Sequence, residues 1–211
     1  LGIKEKNIHV INPGANDLRS QKIINSYNFS GSPILLTLAR LEKRKGHKKV
    51  LFSLVKLIND FPHIQYIIAG EGPEKSNLLS LTKKLKIQNH VHFLGNINNQ
   101  QKKEIFDLTS LMIMPTSDET ADRSIEGFGI AYIEAGMFGI CSVATNVGGV
   151  NEAIIHNETG ILLNLKEDLY SCLKNLLFDK QKLISLGVKA QERALKDFNW
   201  DVVAKKYIDA F

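Results

Sequence analysis

The run Glu126-Gly127-Phe128-Gly129-Ile130-Ala131-Tyr132-Ile133-Glu134-Ala135 sets two carboxylates, with seven residues between them, in an otherwise apolar segment. A short apolar run at 111–114 precedes it, a polar stretch at 115–125 intervenes, and a second apolar run at 140–144 follows. The spacing predicts strand, long loop, helix and strand, with Glu126 at the helix mouth and Glu134 inside the helix. A helix mouth presents unpaired N–H groups and a partial positive charge, which suits an anion. Ionised carboxylates only accept hydrogen bonds, so a pair beside such a mouth points to hydroxyl groups held next to a phosphate. The bland alternative is a Glu pair on a solvated helix surface. The two glycines and the apolar setting favour a site.

Outward from this stretch, apolar runs of strand length alternate with helical periodicity. Residues 33–39 and 64–69 are continuous apolar runs, the mark of parallel strands buried on both faces. Between them lies the basic loop Lys43-Arg44-Lys45-Gly46, and from His47 the apolar Val50, Leu51, Leu54, Val55, Leu57 and Ile58 recur at helical spacing. Helices are predicted over 78–85 and 100–108, with a strand at 91–94 closed by Gly95. Gly148-Gly149 opens another helix, 160–163 is a last strand, and three helices at 167–177, 181–196 and 200–211 finish the chain. Residues 7–11 read as a short strand before the turn at 12–17.

This is the pattern of an α/β domain: a Rossmann-like parallel sheet with helices on both faces and ligands at the carboxyl ends of the strands. Arg40 and Lys45, Gly70 to Pro73, Gly95 to Ile97, Glu126 to Gly129, and Gly148 to Glu152 all fall on that edge. The dinucleotide fingerprint is incomplete, because Gly70-x-Gly72 is followed by Pro73 and has Lys75 at the third glycine position. No low-complexity linker divides the chain, so residues 1–211 are read as one domain.

Composition sets wider bounds. The chain has 211 residues, 44% hydrophobic and 23% charged, with a formal charge of +5. The charges are interleaved, and no aromatic interleaving accompanies the one basic cluster, so nucleic-acid binding is not expected. Cys141 and Cys172 do not make a disulfide framework, and the histidines lack metal-ligand spacing, so we expect a reduced compartment and no metal. No apolar run approaches the roughly 20 residues that span a bilayer. These features point to a cytoplasmic protein, with peripheral attachment at the inner face of a membrane left open. Leu1 stands where an initiator Met would be, and the pattern opens mid-element, so a piece of a longer protein is expected.

Several motifs, in this order and spacing, resemble the retaining glycosyltransferases of family 4. They are Asn12-Pro13-Gly14-Ala15-Asn16-Asp17, Ala39-Arg40-Leu41 with Lys45-Gly46, Gly70-Glu71-Gly72-Pro73, and Val91-His92-Phe93-Leu94-Gly95. The series continues with the Glu126 and Glu134 pair, Val143-Ala144-Thr145-Asn146-Val147-Gly148-Gly149, Glu152 and Thr159-Gly160. The resemblance covers nearly the whole chain and is to the C-terminal, donor-binding half of the two-domain GT-B fold. It implies that residues 1–17 form an interdomain hinge region. It also implies that residues 198–211 cross toward an N-terminal acceptor domain absent from this sequence.

Carried over by position, the resemblance implies that Arg40 and Lys45 hold the diphosphate of a nucleotide-sugar, while Glu126 faces the sugar hydroxyls and Glu134 the ribose. The backbone of Gly127, Phe128, Gly129 and Ile130 would cradle phosphate, the main chain of Ile97 would meet the base edge, and Gly70 and Gly72 would line the nucleotide side. The implied reaction transfers a sugar from a UDP-, GDP- or ADP-linked donor to a hydroxyl with retention, in bacterial surface polysaccharide synthesis. The donor is a substrate, and no cofactor is implied. Nucleotide-sugar epimerase, phosphorylase and non-catalytic binding module are the alternatives. The sequence departs from the family at Met137-Phe138-Gly139-Ile140-Cys141, where a proline is common, and a packing adjustment is expected there.

Overall fold

The computed structural model describes residues 8–23, 27–29, 31–117 and 126–210. Six parallel strands form one sheet in the order β3-β2-β1-β4-β5-β6. They are β1 Ile34–Leu38, β2 Gln65–Ala69, β3 Val91–Gly95, β4 Leu111–Met114, β5 Ser142–Thr145 and β6 Gly160–Leu163. The helices are α1 His47–Asp60, α2 Lys75–Lys84, α3 Asn99–Leu108, α4 Ile130–Met137, α5 Val150–Ala153, α6 Leu169–Phe178, α7 Lys180–Asp197 and α8 Trp200–Asp209.

Strand alternation divides the apolar residues between two cores. Leu36, Ile67, Met112 and Ala144 face one layer, which holds α3, α4, α5 and the end of α7. Leu35, Ile68, Ile113 and Val143 face the other, which holds α1, α2 and α6. Covering both faces explains why the strands read as continuous apolar runs and not as alternating ones. The chain returns to the middle of the sheet between β3 and β4, so β4 pairs with β1. The loop after β1 therefore leads to one layer and the loop after β4 to the other. This is the switch point where open α/β sheets bind ligands.

One expected strand does not form. Residues 8–11 make no ladder, and Ile8 and Val10 are exposed. A short apolar stretch becomes a strand only with a free sheet edge beside it, and the chain just after this segment pairs elsewhere. Ala15 donates its N–H to the Phe198 carbonyl (2.8 Å) and bridges Asn199 at the turn between α7 and α8. The expected helix at 200–211 runs to Asp209, with Trp200, Tyr207 and Ile208 exposed on it. The loop residues Asp118, Glu119, Asp122 and Arg123 lie outside the described residues.

Where the family proline is replaced, Phe138 closes α4 and packs at a tilt against Phe106 of α3 with centroids 5.0 Å apart. The following Gly139 carbonyl lies against Gly187 of α7, and Gly136 faces Ala190. Small residues thus let α4 and α7 approach closely. Because a Cβ at Gly187 would overlap a backbone carbonyl that cannot rotate away, overpacking should outweigh the helix-propensity gain of about 1 kcal/mol. We expect Gly187→Ala to lose roughly 1–2 kcal/mol in urea unfolding, whereas Val188→Ala beside it should stay within about 0.5 kcal/mol.

Candidate functional site

After β1 the chain makes a 3-10 turn, Lys43–Lys45. Three residues per turn point its side chains in three directions. Lys43 is exposed, Arg44 half-buried and Lys45 buried. Lys45 Nζ reaches Glu126 Oε2 at 2.5 Å, and Arg44 Nη1 reaches the same oxygen at 3.0 Å. Arg44 Nε also bonds Glu42 Oε2 at 3.0 Å, and the other oxygen of Glu42 holds Arg40 Nη1 at 2.9 Å. Three cations and two carboxylates thus form one network, with a surplus of positive charge, across the switch point. Glu126 Oε1 accepts from no described residue.

The loops carrying these residues are joined through their backbones. Ser117 N–H donates to the Arg44 carbonyl (2.7 Å), Leu41 N–H to the Glu71 carbonyl (3.0 Å) and Gly149 N–H to the Glu126 carbonyl (2.9 Å). A Cβ on Gly46 would overlap the Pro115 carbonyl, and one on Gly149 the Gly127 carbonyl. A Cβ on Gly127, by contrast, would meet nothing within 4 Å.

The α4 N-terminus opens beside Glu126. Its cap residue is Gly129, at φ 84, a left-handed conformation that disfavours a side chain. Asn98, Asp168, Asp179 and Asn199 cap α3, α6, α7 and α8 with their side chains, whereas α4, like α1, α2 and α5, has no side-chain cap. Among the described residues nothing accepts from the N–H groups of Phe128, Gly129 and Ile130. The Phe128 ring packs on Phe198 (5.4 Å), which anchors the segment to the core. Glu134 lies one turn into α4, with Oε1 bound by Lys102 Nζ of α3 at 2.6 Å.

The structure therefore brings Lys45, Glu126 and the segment from Gly127 to Ile130 together, as the sequence predicts. Arg40 reaches them only through Glu42 and Arg44, and its side chain is 76% exposed. Ile97 sits half-buried before α3, on the side of Glu134. Gly70 and Gly72, by their missing Cβ atoms, make room for the backbone of Ala39 and Leu41. They hold the Arg40 loop in place. Arg44 and Lys102 were not singled out from the sequence as site residues. A basic residue one place before Lys45 is a signal for the first, whereas no sequence signal marks the second. No group of three or more His, Cys, Asp or Glu able to hold a metal ion occurs among the described residues. No helix among them is long and apolar enough to cross a membrane.

The sequence model of the glycosyl transferases group 1 family matches residues 19–193. The chain belongs to that family. It is 26% identical over 185 residues to a GDP-mannose-dependent alpha-(1-6)-phosphatidylinositol monomannoside mannosyltransferase of Mycobacterium tuberculosis, covering 87% of this chain and 48% of the relative. The chain thus spans about half the length of the curated relatives it matches. Among solved structures, an Anabaena protein crystallised with UDP and glucose superposes with a TM-score of 0.73 at 22% identity, over 83% of this chain and 47% of the other. The C-terminal domain of a group 1 glycosyl transferase from Francisella tularensis matches over 94% of this chain and 96% of its own, with TM-score 0.66 and 20% identity. The fold is accordingly the Rossmann-like half of a GT-B glycosyltransferase.

Beneath the switch point lies a buried polar strut. His47 Nδ1 is 3.2 Å from the Tyr66 hydroxyl, which is 2.8 Å from Thr37 Oγ1, and Thr37 donates to the Ile113 carbonyl. Burial drives the His47 imidazole down to about 4, with the Lys45 charge adding to it and the Arg40 carbonyl opposing. The unfolded chain therefore takes up a proton before the folded one does. This contribution to stability is complete above pH 6.5 and is lost as pH falls toward about 4. A loss of ~3 kcal/mol is expected over that window. Denaturant unfolding at several pH values should show it, and His47→Gln should flatten the slope.

Proposed function

We propose that this domain binds the nucleotide diphosphate-sugar donor of a retaining glycosyltransferase. The observation that carries the reading is the meeting of Lys45, Glu126 and the uncapped α4 N-terminus at the switch point, with Glu134 one turn further in. A diphosphate needs concentrated positive charge and unpaired N–H donors in fixed positions. Lys45, the α4 mouth and the Arg40–Glu42–Arg44 chain supply both. As the bond to the sugar lengthens, negative charge grows on the departing diphosphate, and groups already oriented toward it stabilise that charge without reorganising. Arg40, exposed at the end of β1, is free to exchange Glu42 for phosphate.

Glu126 offers one held oxygen and one open oxygen toward hydroxyl groups of the sugar. Glu134, one turn inside α4 and held on one oxygen by Lys102, would take the ribose hydroxyls. Both carboxylates lie on one side of such a donor, unlike the flanking pair of a glycosidase. The donor reading draws support from the Anabaena protein, which was crystallised with UDP and glucose, and from the GDP-mannose dependence named for the mycobacterial relative. The acceptor is a hydroxyl. Assembly of bacterial surface polysaccharide is the setting we favour, from the Lys-, Ile- and Asn-rich composition. The acceptor would be held by a further domain, and attachment to the inner face of a membrane would come through that part.

Titration calorimetry with UDP, GDP and ADP tests the donor reading, and binding of none of them would sink it. Arg40→Ala should weaken nucleotide binding by about 1.5–3 kcal/mol while leaving stability within about 0.5 kcal/mol, since its side chain is exposed. Glu134→Ala should weaken binding of the bare nucleotide. Glu126→Ala should weaken only the sugar-bearing form, and it should also cost roughly 3 kcal/mol of stability by stranding buried Lys45. Equal loss of bare nucleotide in both glutamate variants would contradict this division of roles.

A further inference from the structure

We infer that Lys102 is a positioning residue for the ribose-side carboxylate: it ties down Oε1 of Glu134 and leaves Oε2 to the vicinal diol of a nucleoside diphosphate. This rests on the donor-site reading above and adds a residue to it. The pair is close, with Nζ 2.6 Å from Oε1, and mostly sheltered, the side chains being 19% and 12% exposed. Oε2 of Glu134 accepts from no described residue.

Lys102 is itself fixed from two directions. It lies in the first turn of α3, which a reciprocal capping box closes. The Asn98 side chain accepts from the Gln101 N–H, and the Gln101 side chain accepts from the Asn98 N–H. Lys102 N–H donates to the Asn98 carbonyl at 2.8 Å. One turn further on, Phe106 of α3 packs at a tilt against Phe138 at the end of α4. The spacing is four residues on both helices, from Lys102 to Phe106 and from Glu134 to Phe138. Ion pair and ring pair are therefore successive rungs between α3 and α4, with the ion pair on the rung nearer the ligand edge. Glu126 repeats the arrangement, with cations on Oε2 and no described residue bonded to Oε1.

A glutamate held in this way loses little rotamer freedom when a diol arrives, and its open oxygen already faces one direction. The same α3 start follows directly on Ile97, so the capping box fixes the base side and the ribose side of the site together.

The test is titration calorimetry with UDP, GDP and ADP, each beside its 2′-deoxy form, on the wild type, Lys102→Met and Lys102→Arg. The wild type should prefer the ribose form of the nucleotide it binds best. Lys102→Met should weaken that form roughly tenfold yet leave the 2′-deoxy form within about twofold, and Lys102→Arg should restore most of the loss. A wild-type preference that survives in Lys102→Met overturns the role of Lys102 and leaves the donor site standing. Equal weakening of both forms also overturns it, because Lys102 would then act on the fold or touch the ligand directly. A wild type indifferent to the 2′-hydroxyl removes the ribose role of Glu134 and this proposal with it, and no nucleotide binding at all removes the donor site. Should Lys102→Met fail to fold, Lys102→Gln takes its place in the same comparison.

Discussion

A carboxylate from one side of the sheet's switch point and two cations from the other share a single oxygen. Glu126 enters from the loop before α4, and Lys45 and Arg44 from the turn after β1, so the contact spans two chain segments that diverge into opposite helix layers. In such shelter the cations could not stand close together without the carboxylate between them, and the carboxylate could not be buried without them. The α4 mouth begins directly after this contact, and the Gly149 bond to the Glu126 carbonyl and the packing of Phe128 on Phe198 hold it in place whatever side chain stands at 126.

Support from below is of another kind. His47, Tyr66 and Thr37 place uncharged polar groups in the core under the same point, linking α1, β2 and β1 to β4. Burial holds His47 neutral, so no second charge competes with Lys45 above it. A rigid neutral base beneath a charged rim is a sound way to hold preorganised electrostatics.

Much of this was legible in the sequence. Parallel strands buried on both faces leave unbroken apolar runs, and the expected strands within the sheet match the observed ones to within about two residues. Glu126, Gly129 and Glu134 stood out because a carboxylate is costly in apolar surroundings and a glycine before a helix lets the backbone turn, and the structure places Gly129 at the α4 cap and Glu134 one turn inside. Arg44 was harder. In Lys43-Arg44-Lys45 the composition is uniform, and only the phase of the 3-10 turn decides which cation faces inward. Lys102 was harder still, since it is one of two adjacent lysines on α3 and meets Glu134 only through helix packing. The stretch at 7–11 misled for a related reason: it carries strand propensity, but whether a sheet edge lies beside it is a property of the whole fold. Gly70 and Gly72 were read as facing ligand, and the structure gives them a closer neighbour in the Arg40 loop.

The backbone joints among the strand-end loops have an engineering consequence. Leu41 is hydrogen-bonded to Glu71, Arg44 to Ser117, and Glu126 to Gly149, and Gly46 and Gly149 each leave no space for a side chain. Four loops, from β1, β2, β4 and β5, therefore behave as one inset piece. Recombination that replaces a single loop with that of a relative would meet mismatched joints on either side. Chimeras intended to change the ligand should exchange all four as a block, with the crossovers placed inside the strands, where the register is set by the sheet.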